Sequence, residues 1–173
     1  FVVIFYNMTR EAPRTLYSLS SAYQAGVAEG SWEVLAIENG STQPLNPVHV
    51  ESFGPNFRYH FHPTQSPSPV EAINLGVKMA SADNVCICID GARILSPGIV
   101  RHMLRAFSAF EDPLVCTLGW HLGPERQNIS MLDGYDQTTE DALLDTVDWR
   151  NDGYQLFDIS TIAPSAGGGY FGQ

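Results

Sequence analysis

The sequence predicts an α/β fold, a three-layer α/β/α arrangement around a mainly parallel, Rossmann-like sheet. Three observations carry that expectation. Strand-like and helix-like patterns alternate at least three times before residue 111, which demands crossover connections and hence parallel strand pairing. The strand-like runs are continuously apolar, as suits strands covered on both faces. The run Val85-Cys-Ile-Cys-Ile89 stops abruptly at Asp90, and Ser96-Pro97 opens a helix one short loop later. In open parallel sheets ligands bind beyond the carboxyl ends of strands, so an acid at such a tip is where chemistry is sought first.

The elements follow in order. Phe1 to Tyr6 is a buried strand whose tip carries Tyr6 and Asn7. A helix should follow, with Thr9 as N-cap and Pro13 in its first turn. Leu16, Leu19, Tyr23 and Val27 continue it at three- and four-residue steps, with Ser18 and Gln24 pointing away from the core. Trp32 to Ile37 is the second strand, ending in Glu38-Asn39-Gly40-Ser41-Thr42. The Pro-rich stretch to Pro55 is loop with a poor helical turn, and Phe57 to His62 is a short strand near an edge. Ser68-Pro69-Val70-Glu71 reads as a capping box opening a helix to Ala82. Beyond Asp90, Val100, Met103, Leu104 and Phe107 mark the inner face of a helix over 97–110. Leu114 to Trp120 is a further strand of the same sheet, Thr139 to Trp149 an acidic helix, Tyr154 to Ile162 strand-like, and Gly167-Gly168-Gly169 a loop or close-approach surface.

Composition bounds the function. A chain of 173 residues with 44% hydrophobic and 16% charged residues is globular. Its net charge of −10 argues against nucleic acid or an anionic membrane surface as partner, since both call for clustered Lys and Arg. No apolar run reaches the length of a membrane span and no signal peptide is visible, so a cytoplasmic location is expected. Cys86, Cys88 and Cys116 are an odd number inside strand-like runs and read as buried thiols in a reducing compartment. The chain begins inside one apolar run and stops just after the glycines, and it reads as an excerpt of a longer protein.

Three tips, Tyr6-Asn7, Glu38-Asn39 and Asp90, thus gather on one edge. That set suits a nucleotide: an aromatic to stack, an amide or acid for a base, an acid for ribose hydroxyls or a metal on the diphosphate. The order Phe-Tyr-Asn, Ile-Glu-Asn-Gly-Ser-Thr, Ala-Ile-Asn-Leu-Gly and Cys-Ile-Asp-Gly-Ala-Arg-Ile-Leu-Ser-Pro-Gly resembles the family 2 glycosyltransferases of GT-A fold, over residues 1 to 110. The resemblance implies a single catalytic domain over 1–173, with a nucleotide-binding half over 1–110 and the start of an acceptor-side half over 111–173. It implies that Tyr6 and Asn7 line the nucleotide pocket, and that Glu38 and Asn39 match the acidic pair on the base, an amide replacing the second acid. Asn74 and Gly76 match an Asn-x-Gly helix motif, though Ile73 stands where a basic residue often precedes that Asn. Asp90 matches the first acid of the D-x-D motif. The second, the usual metal ligand, is Ala92, so a bound Mn²⁺ or Mg²⁺ loses its principal carboxylate and Asp90 remains as the candidate metal ligand. Arg93 either faces solvent or partly neutralises the diphosphate.

The resemblance implies an enzyme that moves a sugar from a nucleotide-diphosphate donor to a glycan, lipid or protein acceptor. Its general base is expected beyond Gln173, because Glu140 and Asp141 sit at a helix start, where acids are favoured in any case. His60 and His62, with His49, read as solvated histidines rather than metal ligands, and His121 as either a loop residue or part of a sugar pocket. The competing reading is a nucleotide-binding or scaffolding domain of the same fold without turnover, motivated by Ala92 and Ile73. A receiver-like module lacks its supporting acid cluster and lysine. Fold alone does not decide between these.

Overall fold

The computed structural model describes residues 1–162. The chain divides into two compact units, Phe1–Glu111 and Asp112–Gln173. The glycines at 167–169 lie outside the described residues.

The first unit is built on four parallel strands, β1 (Val2–Phe5), β2 (Val34–Asn39), β3 (Phe57–His62) and β4 (Ile87–Cys88), in the spatial order β3-β2-β1-β4. The order follows from burial. β1 and β2 consist wholly of buried residues and take the middle, whereas β3, half polar, takes an edge. Helices cover both faces. Val3, Phe5, Val34 and Ala36 point to one side, against α1 (Ala12–Ser18), α2 (Pro47–Glu51) and α4 (Ile99–Ala109), where Leu16, Leu19, Val50 and Val100 complete the core. Val2, Ile4, Leu35 and Ile37 point to the other, against Ala72 of α3 (Val70–Met79). Gly76 brings α3 close: a Cβ there would lie 2.3 Å from a Val2 methyl.

Several expectations are corrected. The run ending at Asp90 is not a strand covered on both faces. β4 is a two-residue edge strand, and Ile89 is 61% exposed. α1 ends at Ser18 rather than running on to Val27, and Glu11, not Thr9, holds its cap position. The Ser18 and Ser20 hydroxyls donate to the carbonyls of Thr15 and Tyr17, and such serines compete with the helix ladder. Leu19 and Tyr23 stay buried because backbone turns from Ser20 carry the chain around. Ser18 and Gln24 do not point away. Gln24 is a buried clamp whose Nε2 donates to the Ser18 (2.6 Å) and Ser96 (3.0 Å) carbonyls, and whose Oε1 accepts from Val100 N–H at 3.3 Å.

The helix starts also shift. Asn46 caps α2 with Pro47 next, a regular start inside the Pro-rich stretch. The capping box at Ser68 does not form: Pro69 holds the cap position, and Glu71 turns instead to His62. Ser96 does not cap α4; Gly98 precedes it, and Leu104 is exposed.

The second unit holds an antiparallel pair, β5 (Trp120–Leu122) and β6 (Ser160–Ile162), with α5 (Gln127–Ser130), α6 (Gln137–Asp145) and a 3₁₀ helix over Gly153–Ile159. The expected strand over 114–120 is therefore absent among the described residues. Leu114 is 92% exposed, and Trp120 pairs with Ile162 rather than with the parallel sheet. An apolar β-rich run becomes a strand only where a neighbour takes up its backbone groups. Tyr154 to Ile159 coils rather than extends, capped by Asp152. Cys116 is exposed, unlike half-buried Cys86 and Cys88, and all three thiols are free. No helix among the described residues is long and apolar enough to cross a membrane.

Candidate functional site

The order β3-β2-β1-β4 creates a switch point. From β1 the chain winds outward through β2 and β3, then returns to place β4 on the other side of β1. Crossovers that diverge in this way leave a crevice beyond the carboxyl ends of the two strands that flank the switch, β1 and β4. The segments that follow those ends are Tyr6-Asn7 after β1 and Ile89-Asp90-Gly91 after β4. The register pairs Phe5 with Glu38, so the tip of β2 borders the same edge. Tyr6, Asn7, Glu38, Asn39 and Asp90 thus share the carboxyl edge of the sheet.

Their side chains do different work. Glu38 is fully buried, and both carboxylate oxygens are engaged: one accepts from the Ser41 hydroxyl, the other from Leu45 N–H at 2.7 Å. The acid thereby holds the loop that leaves β2. Burial, and next the charge of Glu38, push the Tyr59 phenol above its ordinary value. Asn7 holds the same loop from outside. Its backbone is in the left-handed region at φ 52°, which asparagine tolerates, and its Oδ1 accepts from Thr42 N–H (2.9 Å), Thr42 Oγ1 (3.1 Å) and Gln43 N–H (3.0 Å). The Asn7 N–H donates to Ser41 Oγ at 2.9 Å. Gly40, at φ 71°, turns the chain where a Cβ would strike the Thr64 carbonyl.

Tyr6 and Asn39 are arranged otherwise. Tyr6 is 54% exposed, a ring open to a stacking partner. Asn39 is only 4% exposed; its Nδ2 donates to the Ser68 carbonyl at 3.3 Å, while its Oδ1 is buried without a partner among the described residues. A buried acceptor left unpaired is costly, and it calls for a donor that the described residues do not supply. Asp90 is half-exposed: Oδ1 accepts from Ala92 N–H at 3.0 Å and Oδ2 lies 3.1 Å from the Arg93 guanidinium. Arg93 is therefore both solvent-exposed and paired to Asp90. The floor beneath Asp90 is tight. Gly91 abuts the Phe5 ring, where a Cβ would approach within 2.2 Å, and its carbonyl accepts from Thr15 Oγ1 at 2.5 Å.

Other candidates stand apart. Asn74 is exposed on α3, and no hydrogen bond joins it to the strand tips among the described residues. Ala92 is exposed and offers no ligand atom. His62 pairs with Glu71 at 3.3 Å, His49 packs edge-on to Phe53, and no group of three or more His, Cys, Asp or Glu side chains among the described residues is disposed to hold a metal. His121 lies in β5, half-buried beside Trp120. Glu140 stands in the first turn of α6, as a helix-start acid should, behind the cap made by Asp136. Thr15, Ser41 and Gly91 escaped the sequence reading as site residues. The small polar pair Ser41-Thr42 after a strand tip was the available signal, since such residues take loop hydrogen bonds.

Comparison with family models, with curated proteins and with solved structures finds no match to this chain. The reading of the edge therefore rests on its geometry and on the motifs quoted above.

Proposed function

We propose that the protein binds a nucleotide-diphosphate sugar at the carboxyl edge of its sheet and belongs to an enzyme that transfers that sugar to an acceptor. The observation that carries the reading is the unpaired, buried Oδ1 of Asn39, set at the same edge as the open ring of Tyr6 and the carboxylate of Asp90. In this reading the base stacks on Tyr6 and donates to Asn39, while Asp90 meets the ribose hydroxyls. Glu38 and Asn7 hold the loop against which the nucleotide lies. Charge on the leaving diphosphate is met by Arg93 once it exchanges Asp90 for the ligand, since Ala92 provides no acid to hold a Mn²⁺ or Mg²⁺ ion.

A second reading is favoured by one feature, the Asp90–Arg93 ion pair at the position where a metal-binding acid pair would stand. It makes the domain a nucleotide-binding or scaffolding module without turnover. Thermal-shift measurements with UDP, GDP, CDP and dTDP sugars test both readings, because a ligand of the native state raises its apparent stability. Stabilisation by one of them, lost in Asn39→Ala and Tyr6→Ala, supports the site. Release of free sugar from that donor by the protein distinguishes the enzyme from the scaffold. No response at millimolar ligand refutes the donor site, and the scaffolding reading takes over.

A further inference from the structure

We propose a second ligand site in the first unit, on the flank of α4, that takes a phosphoryl group. Arg101 and Arg105 lie one turn apart on α4 and line an open concavity of about 430 Å³ together with Gly26, Ser31 and Leu104. Ser31 precedes β2, at the opposite end of that strand from Glu38. The site is thus separate from the carboxyl edge and does not rest on the nucleotide reading.

Three features make this more than a basic patch. The protein carries only nine Lys and Arg against nineteen acids, and Arg10, Arg58 and Arg93 are each ion-paired to an acid. Arg101 and Arg105 have no acid within ion-pair distance among the described residues, although two like charges one helical turn apart repel unless an anion lies between them. Arg101 is seated rather than loose. Gly26, with φ +70°, lies under its guanidinium, and a Cβ there would come within 3.0 Å of Nη1. Its Nε is buried with no acceptor, a donor that the fold desolvates and leaves unsatisfied. A seated guanidinium is a planar array of donors whose spacing matches the oxygens of a phosphate. Arg105 contributes the second charge and Ser31 a hydroxyl, and the volume falls within the range of small-ligand sites.

The phosphoryl group comes either from a soluble anion or from a lipid headgroup, and two arms of one experiment separate them. Pyrophosphate is titrated against the protein by thermal shift at constant ionic strength, and vesicles containing phosphatidic acid are tested by co-sedimentation. Wild type should respond in one arm, and Arg105→Glu, a substitution at an exposed position, should weaken that response about tenfold or more, since it replaces a charge-assisted bond by repulsion. Arg101→Gln should do the same with an unchanged circular dichroism spectrum. Arg93→Gln should respond like wild type, which separates this site from a diphosphate bound at the carboxyl edge. Absence of a response in both arms overturns the proposal, as does an Arg105→Glu protein that binds like wild type.

Discussion

Replacing Glu38 by alanine separates the two roles that an acid at the tip of β2 could play. The substitution leaves the Ser41 hydroxyl and the Leu45 N–H without their acceptor in a buried setting. Each orphaned buried donor costs about 1–3 kcal/mol. The truncated side chain also leaves a void in a fully packed region. We therefore expect a loss of about 3–5 kcal/mol, read as a fall in Tm of roughly 6–20 °C at about 2–4 °C per kcal/mol for a chain of this size. Asn39→Ala is the internal control. It forfeits one 3.3 Å hydrogen bond and at the same time removes an unpaired buried oxygen, so its cost should stay near or below about 1 kcal/mol. Differential scanning calorimetry of both variants checks the contrast. Equal Tm values for Glu38→Ala and Asn39→Ala would show that the carboxylate does not hold the loop, and would return Glu38 to a direct role in ligand contact.

Other outcomes follow from the same contacts. Gly91→Ala should destabilise the protein by about 1–3 kcal/mol in chemical denaturation, because its methyl meets the fully buried Phe5 ring and cannot be accommodated without displacing it; a neutral effect would mean the floor of the crevice is loose. Native thiol titration at pH 8 should modify Cys116, which is exposed, and leave Cys88 unreacted until denaturant is added, because burial pushes the Cys88 thiol up to about 11. Burial alone would raise the Glu33 carboxyl, yet hydrogen bonds from Ser81 and the Arg58 guanidinium outweigh it and hold the group below its ordinary 4.5. Its contribution to stability is therefore full above that value and is lost as pH falls through the lower folded one, so Glu33→Gln should flatten the acid side of the stability profile. Calorimetric titration with Mn²⁺ in the absence of nucleotide should show no tight binding, since Ala92 supplies no ligand and Arg93 already engages Asp90.

What the sequence made legible was the first unit. Continuous apolar runs at 2–5 and 34–37 flagged the central strands, and the polar residues that end them located the carboxyl edge. The tertiary roles of those polar residues were not legible. Glu38 and Asn7 serve the loop over 41–45 through partners that only the folded chain brings near, and the pairing of Arg93 with Asp90 depends on the turn after β4. Gln24 shows the same limit: its spacing resembles a solvent-facing helical position, but the helix has already ended, and the residue turns inward to join the start of α4. The second unit misled because Leu114 to Leu118 has a strand's composition without a strand's neighbour. Short strands such as β5 and β6 take their identity from pairing across 38 or more residues, which local pattern does not carry.

The most direct test of the carboxyl-edge site is the affinity of the best-stabilising nucleotide diphosphate, measured by isothermal titration calorimetry on wild type and on Asn39→Ala. If the base donates to the buried Oδ1, the variant should lose about 1–3 kcal/mol, or roughly 5- to 150-fold in Kd, with its Tm nearly unchanged. Equal affinity in the two proteins would contradict the account.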